Sequence, residues 1–272
     1  MVFDPDSYGK LIFNNHASTD FGIMVKIPWD PVTPTTDGTD THVTGRSGNL
    51  WQSNNNAYNN VTETFNCKVF RDPNLYADWW ELHDAISNWL TVPGGGYDYL
   101  EFDLYPEWAF YAQPKPFNLT TINTMYADLT LQFNCSPLMT SIRGMDWKTY
   151  PASGIIYNST SLPVKPEWHI KGSGDYYLRV NGFDYYFDDV EDDLYLTPEG
   201  NAFYYDSSGA KILANDKIRL ANNGSPVFLC GKNTIDFKAQ DNPAQPDTDG
   251  VVAPATKPGS IEYKAMWKKV IM

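Results

Sequence analysis

Two stretches of strict alternation constrain this chain more than any other feature. In residues 61–70, Val61, Glu63, Phe65, Cys67 and Val69 take one side, and Thr62, Thr64, Asn66, Lys68 and Phe70 take the other. In residues 126–135, Ala127, Leu129, Leu131, Phe133 and Cys135 share a side. Successive side chains point to opposite faces in an extended strand, so each stretch reads as a strand with one mostly buried face. The second stretch has the pattern of a central strand of the first half.

Only one segment breaks this β pattern with helical spacing. Leu75, Trp79, Leu82, Ile86 and Trp89 recur at intervals of three and four, after Asp72-Pro73, an N-cap residue followed by proline at a first helical position. A helix is expected over residues 73–90, stopped by Pro93 and the glycines 94–96. Its Trp79, Trp80 and Trp89 fit core and partner contacts better than a platform for stacking sugars. Upstream, the apolar runs 10–14 and 20–26 flank Asn14-Asn15-His16 and read as an opening hairpin.

Between residues 143 and 166 Gly, Ser, Asn, Thr and Pro dominate, which marks a linker over 151–163 and divides the 272 residues into domains 1–150 and 164–272. The second half then turns strongly β. Residues 175–180 and 183–187 flank Asn181-Gly182, the dipeptide that most favours a tight hairpin turn. Residues 240–259 hold too many prolines to pair in a sheet and should form a mobile excursion before a last strand over 261–271.

The chain is 42% hydrophobic and 15% aromatic, enough to pack cores and to argue against general disorder. Its net charge is -13; residues 1–150 carry 8 basic against 17 acidic groups (-9), and the remainder 12 against 16 (-4). Such a surface repels phosphate backbones and disfavours sequence-specific nucleic-acid binding. Cys67, Cys135 and Cys230 are too far apart for a zinc knuckle or redox pair and read as buried thiols of a reducing cytoplasm. The start of the chain lacks the pattern of a secretory signal, and no run approaches a membrane span, so a soluble protein is expected.

Catalytic and metal-binding chemistry finds little support. The acidic run Asp188-Asp189-Val190-Glu191-Asp192-Asp193 lacks the alternating oxygens and central glycine of a calcium loop and reads as a solvated turn. His16, His42, His83 and His169 form no metal-ligand pattern, and phosphate-binding or nucleophile-elbow glycine motifs are absent. No catalytic, cofactor or metal residue is therefore assigned.

What remains is a proline-rich segment that opens at Pro28 and closes in His42-Val43-Thr44-Gly45-Arg46-Ser47-Gly48-Asn49-Leu50. Its three prolines, Pro28, Pro31 and Pro34, suit an extended edge arm and exclude a helix or central strand. The two glycines around Arg46 imply positive φ and one guanidinium held in place. Preceded by Phe21-Gly22-Ile23-Met24-Val25 and followed by a cysteine-containing strand and a tryptophan-rich helix, the run resembles that of siphophage distal tail proteins. In that family a Val-x-Gly-Arg-(Asp/Ser)-Gly-x-Leu run ends a long β-hairpin.

The second half agrees in sequence order. Pro166, Trp168-x-Ile170, Gly172-x-Gly174, the Asn181-Gly182 hairpin, Asp192-Asp193-Leu194-Tyr195-Leu196 and Gly231-x-Asn233-x-Ile235 are similar to the galectin-like C-terminal domain of that family. The resemblance implies a mostly β chain with one main helix: an N-terminal β-sandwich-like domain bearing an extended hairpin belt, and a C-terminal galectin-like β-sandwich. It implies a hexameric ring in the virion tail tip, assembled in the host cytoplasm. The ring would join the tail tube protein to the tail-associated hub protein and to receptor-binding or baseplate proteins, with DNA passing through unbound.

On that reading residues 27–51 are the belt that contacts a neighbouring protomer. Its interface residues would be Pro28, Trp29, His42, Val43, Gly45, Arg46, Ser47, Gly48, Asn49 and Leu50. A different class of function is a carbohydrate-binding module, in which Tyr176, Tyr177, Tyr185 or Tyr186 of the second domain would contact host wall saccharide. A wall-degrading hydrolase is a third, with no acid pair selected by spacing.

Overall fold

The computed structural model describes residues 8–42, 44, 47, 49–150, 153–221, 224–239 and 259–271, with backbone alone at 49–56. Two compact units emerge, residues 1–140 with 270–272, and residues 141–269. The first contains β1 (Tyr8–Gly9), β2 (Leu11–Phe13), β3 (His16–Ala17), β4 (Ile23–Lys26), β5 (Thr36–His42), β6 (Asn49–Tyr58), β7 (Val61–Phe70), α1 (Trp79–Trp89), β8 (Asp98–Phe102), β9 (Trp108–Pro114), β10 (Asn118–Thr121) and β11 (Tyr126–Ser141).

The two alternating stretches meet at the centre of this unit. β7 and β11 run antiparallel over ten paired positions, from Phe70 opposite Tyr126 to Val61 opposite Cys135. Every inward residue of both stretches is buried. The sheet order is β1-β4-β7-β11-β9-β8-β2-β3, with β10 and β23 (Lys268–Val270) also paired to β11. Lys10 alone separates β1 and β2, which lie near opposite ends of that order. The sheet must therefore curl until its ends nearly meet. Gly9 permits the closure, because a Cβ there would sit 2.7 Å from the Phe102 ring.

Phe13, Phe65, Phe102, Phe110 and Phe133 fill the interior and are essentially inaccessible to solvent. Burying each stabilises the fold by about 2–3 kcal/mol. Leu82, Ile86 and Trp89 of α1 close one side of this core, and the Trp89 indole N–H donates to the Phe13 carbonyl at 2.8 Å.

Two local expectations need correction. The helix begins at Trp79, not at residue 73, and its N-cap is Asp78, whose carboxylate accepts from the Trp80 and Glu81 amides. Asp72-Pro73 starts a turn instead: the Asp72 carbonyl accepts from Leu75 and Tyr76, and Leu75 is left 63% exposed, off the packed face. The opening hairpin is β2 with β3, turned by Asn14 and Asn15 at φ 49° and 61°. β4 does not return to β2. Gly22, at φ 67° and too close to the Phe70 carbonyl oxygen for any Cβ, swings the chain to pair with β1 and β7.

The second unit is a two-sheet sandwich. It contains β12 (Lys148–Tyr150), β13 (Ser153–Asn158), β14 (Glu167–Lys171), β15 (Gly174–Val180), β16 (Phe183–Val190), β17 (Asp193–Leu196), β18 (Ala202–Tyr205), β19 (Lys211–Leu213), β20 (Ile218–Arg219), β21 (Gly231–Ala239) and β22 (Ser260–Lys264). Sheet orders are β12-β22-β14-β17-β18-β19 and β13-β21-β15-β16-β20. Trp168, Ile170, Leu194 and Ile261 of one sheet and Tyr176, Leu178, Phe187 and Phe237 of the other are all in the core.

β15 and β16 form the hairpin expected at Asn181-Gly182, with φ 52° and 84° at the two turn residues. The expected linker, in contrast, contains β13, and the division falls at residues 140 and 141. Small and polar residues there serve a strand: a Cβ on Gly154 would come 2.6 Å from the Tyr150 hydroxyl. The single last strand is two. β22 joins the second sandwich, while β23 pairs with β11 of the first sheet. The proline-rich residues 240–258 lie outside the described residues.

Candidate assembly interface

The chain leaves the first core at Ile27-Pro28, a cis peptide bond. Trp29 holds the root of the segment that follows. Its indole stacks on Phe65 at 4.9 Å and meets Phe102, Tyr105 and Phe110 edge-on at 5.2, 5.8 and 5.9 Å. The Val32 amide donates to Glu63 Oε1 at 2.9 Å, and the Asn59 amide donates to the Thr35 carbonyl at 2.9 Å. The first leg is thus tied to the core, and the second leg to the first, before the hairpin begins.

Beyond the root, β5 and β6 pair only with each other among the described residues. The ladder runs from Thr36 opposite Tyr58 to His42 opposite Asn49, with a register shift between Thr36 and Gly38. Thr39 to His42 are exposed. A lone two-stranded ribbon is at best marginally stable in water, and its open edges are templates for pairing.

The expected interface residues fall at both ends of the arm. Pro28 and Trp29 are at the root, Pro28 exposed and Trp29 half-buried against the core; His42, Asn49 and Leu50 are at the far end, with Leu50 opposite Thr41, and Ser47 is in an exposed bend. Val43, Gly45, Arg46 and Gly48 lie outside the described residues. Sequence reasoning missed Glu63 and Phe65 as holders of the root. Glu63 did carry a signal, a carboxylate in an otherwise apolar set. Burial pushes its pKa up to about 7, only partly offset by the Val32 amide.

In the second unit, the residues that invite catalytic or ligand-binding readings are occupied by one another. His169 contacts Asp193 through Nε2 at 2.8 Å and Glu262 through Nδ1 at 3.2 Å. Its two nitrogens are turned to different carboxylates, and no cluster of three or more potential metal ligands occurs among the described residues. Hydrogen bonding to Lys171, aided by His169, holds the Glu262 carboxyl below its ordinary range. In the acidic run Asp188 forms a two-point pair with Arg219, and Glu191 pairs with Lys217.

The tyrosine pairs split as strand geometry requires. Tyr176 and Tyr185 are in the core, while the Tyr177 ring lies under Arg179 and Lys238 and the Tyr186 ring under Arg219. A second row, His169, Tyr195 and Phe203, stacks ring on ring across adjacent strands, and Lys211 caps Phe203 at 3.8 Å. Sugars stack on open ring faces, and cations sit over the outward Tyr177, Tyr186 and Phe203 rings. Of the cysteines, Cys67 and Cys135 are buried as expected, but Cys230 is exposed. Burial pushes the Cys67 thiol up to about 12 and the Cys135 thiol upward as well, so both are inert.

The fold and the arm together define a two-unit, antiparallel β protein with one helix and a self-paired hairpin. No family model and no curated relative matches the chain. Solved structures do. The SPP1 Dit protein, described as a hub of the adsorption apparatus of phages that infect Gram-positive bacteria, superposes with a TM-score of 0.61 at 11% identity, covering 94% of this chain and 97% of its own. A chain of the phage p2 baseplate in its strontium-bound activated conformation gives 0.52 at 6%, covering 96% and 97%, and one from the calcium-bound form gives 0.51 at 6%, covering 94% and 97%. The chain has the fold of a phage distal tail protein, and it has that fold over nearly its whole length.

Proposed function

We propose that this chain is a structural protein of a phage tail tip that assembles as a hexameric ring. The observation that carries the reading is the self-paired arm of residues 36–58, rooted in the first core and without a third strand among the described residues. The fold shared end to end with hub and baseplate proteins supports it. Residues 27–51 then act as the belt that lies on the next protomer, with Arg46 making charge-assisted hydrogen bonds or fixing the hairpin end. The ring joins the tail tube protein above to the tail-associated hub protein and receptor-binding or baseplate proteins below. Its acidic charge suits a channel through which DNA passes without adhering.

The role is mechanical, and no turnover is assigned to it. Replacing residues 36–58 by a short turn should leave a folded protein of monomer mass, and Arg46→Ala should weaken assembly in the same direction. Light scattering across a concentration range, with circular dichroism on the same samples, reads both. Unchanged oligomer mass in the truncated chain would contradict the belt.

A further inference from the structure

We propose that Glu63 is a proton-operated latch on the root of the arm: its protonated carboxyl keeps the root closed over the first core, and loss of the proton releases it. The consequence for assembly rests on the belt reading; the latch itself does not.

Glu63 lies on β7 between Val61 and Phe65 in the inward set, opposite Phe133, and its side chain has no exposed surface. Oε1 accepts the Val32 amide of the root, whereas the buried Oε2 has no hydrogen-bond partner among the described residues. Two titratable groups come near. The Cys135 thiol on β11 is held protonated by burial, and the Lys115 ammonium, just beyond β9, donates to Thr62 Oγ1 at 2.7 Å. Neither supplies Glu63 with a counter-charge: among the described residues its one polar side-chain contact is the Val32 amide.

A carboxylate in that position has one donor and no access to bulk solvent, which is costly unless the covering chain moves. The covering chain is the root, because Val32 bonds the carboxyl and Trp29 stacks on Phe65, the next inward residue of β7. Closed, the group keeps its proton up to about pH 7; hydrated in an opened root, it would titrate near its ordinary 4.5. The sign follows: closure is fully favoured below pH 4.5, weakens as pH climbs to 7, and levels off above. Between pH 5 and pH 8 the opening constant should rise roughly 70-fold.

Hydrogen exchange on the full chain, at concentrations where light scattering gives the monomer mass, tests this on amides of residues 28–35. After correction for intrinsic exchange, opening should increase by tens-fold from pH 5 to pH 8, and root amides should exchange faster than those of β11. Glu63→Gln should abolish the pH dependence. Val32→Pro, which deletes the donor, should open the root at pH 5 while β11 stays protected. The latch is overturned by a flat wild-type profile, by the same slope in Glu63→Gln, or by root amides that exchange only as fast as β11. Mass at higher concentration reads the ring separately: a titrating root in a chain that never assembles would support the latch and count against the ring.

Discussion

Asn233 shows how much one polar side chain can organise in a β-sandwich. Fully buried, it donates to the Leu229 and Gly231 carbonyls and accepts from the Leu229 amide and the Asn181 side chain. Asn181 in turn holds the Val227 carbonyl and the Thr234 amide, so the hairpin turn and the start of β21 are one network. Asn233→Ala strands several of these groups and should destabilise the second unit by about 2–4 kcal/mol, measured by urea denaturation. The thiols give a simpler check. One of three cysteines per chain should react with a thiol reagent under native conditions, Cys230, and all three after denaturation. At this scale the sequence displayed the motif residues but not their jobs. Glu63 stands out only as a carboxylate in an apolar set, and Asn233 not at all; their roles depend on Val32 and Asn181, which lie far away in the chain.

Elements whose signal is local were legible. Alternation at residues 61–70 and 126–135 gave two strands with their faces correctly assigned, and Asn181-Gly182 gave a hairpin, because a two-residue period and a positive-φ turn are written into adjacent residues. The helix shows where a local signal is ambiguous. Asp72-Pro73 and Asp78 both resemble an N-cap; a proline that fits a first helical turn fits a β-turn equally well. The apolar spacing from Trp79 onward decided the matter, assisted by Glu81, whose carboxylate reaches back to the Ala77 amide at 2.7 Å. Asp78→Ala should therefore cost about 1 kcal/mol of stability in the first unit, and Asp72→Ala distinctly less, by thermal denaturation. Equal losses would return the helix start to residue 73. The strand order could not be read in advance. Which strand follows β4 in space depends on Gly22 passing the Phe70 carbonyl, a contact between residues nearly fifty positions apart.

At the scale of the whole molecule, the proposed ring rests on the self-paired arm. Two units, each with its own core, leave little of the fold dependent on a partner. The arm is the exception, since β5 and β6 find no third strand among the described residues. The proline-rich spacing made an arm legible from sequence, whereas its anchoring by Trp29 and Glu63 depends on contacts with residues more than thirty positions away. The most direct measurement is electron microscopy of the purified full-length chain, with its mass by light scattering across concentration. Six-fold rings and a mass approaching six protomers as concentration rises are expected. A strictly monomeric species at every concentration, with no ring-shaped particles, would contradict the proposed ring.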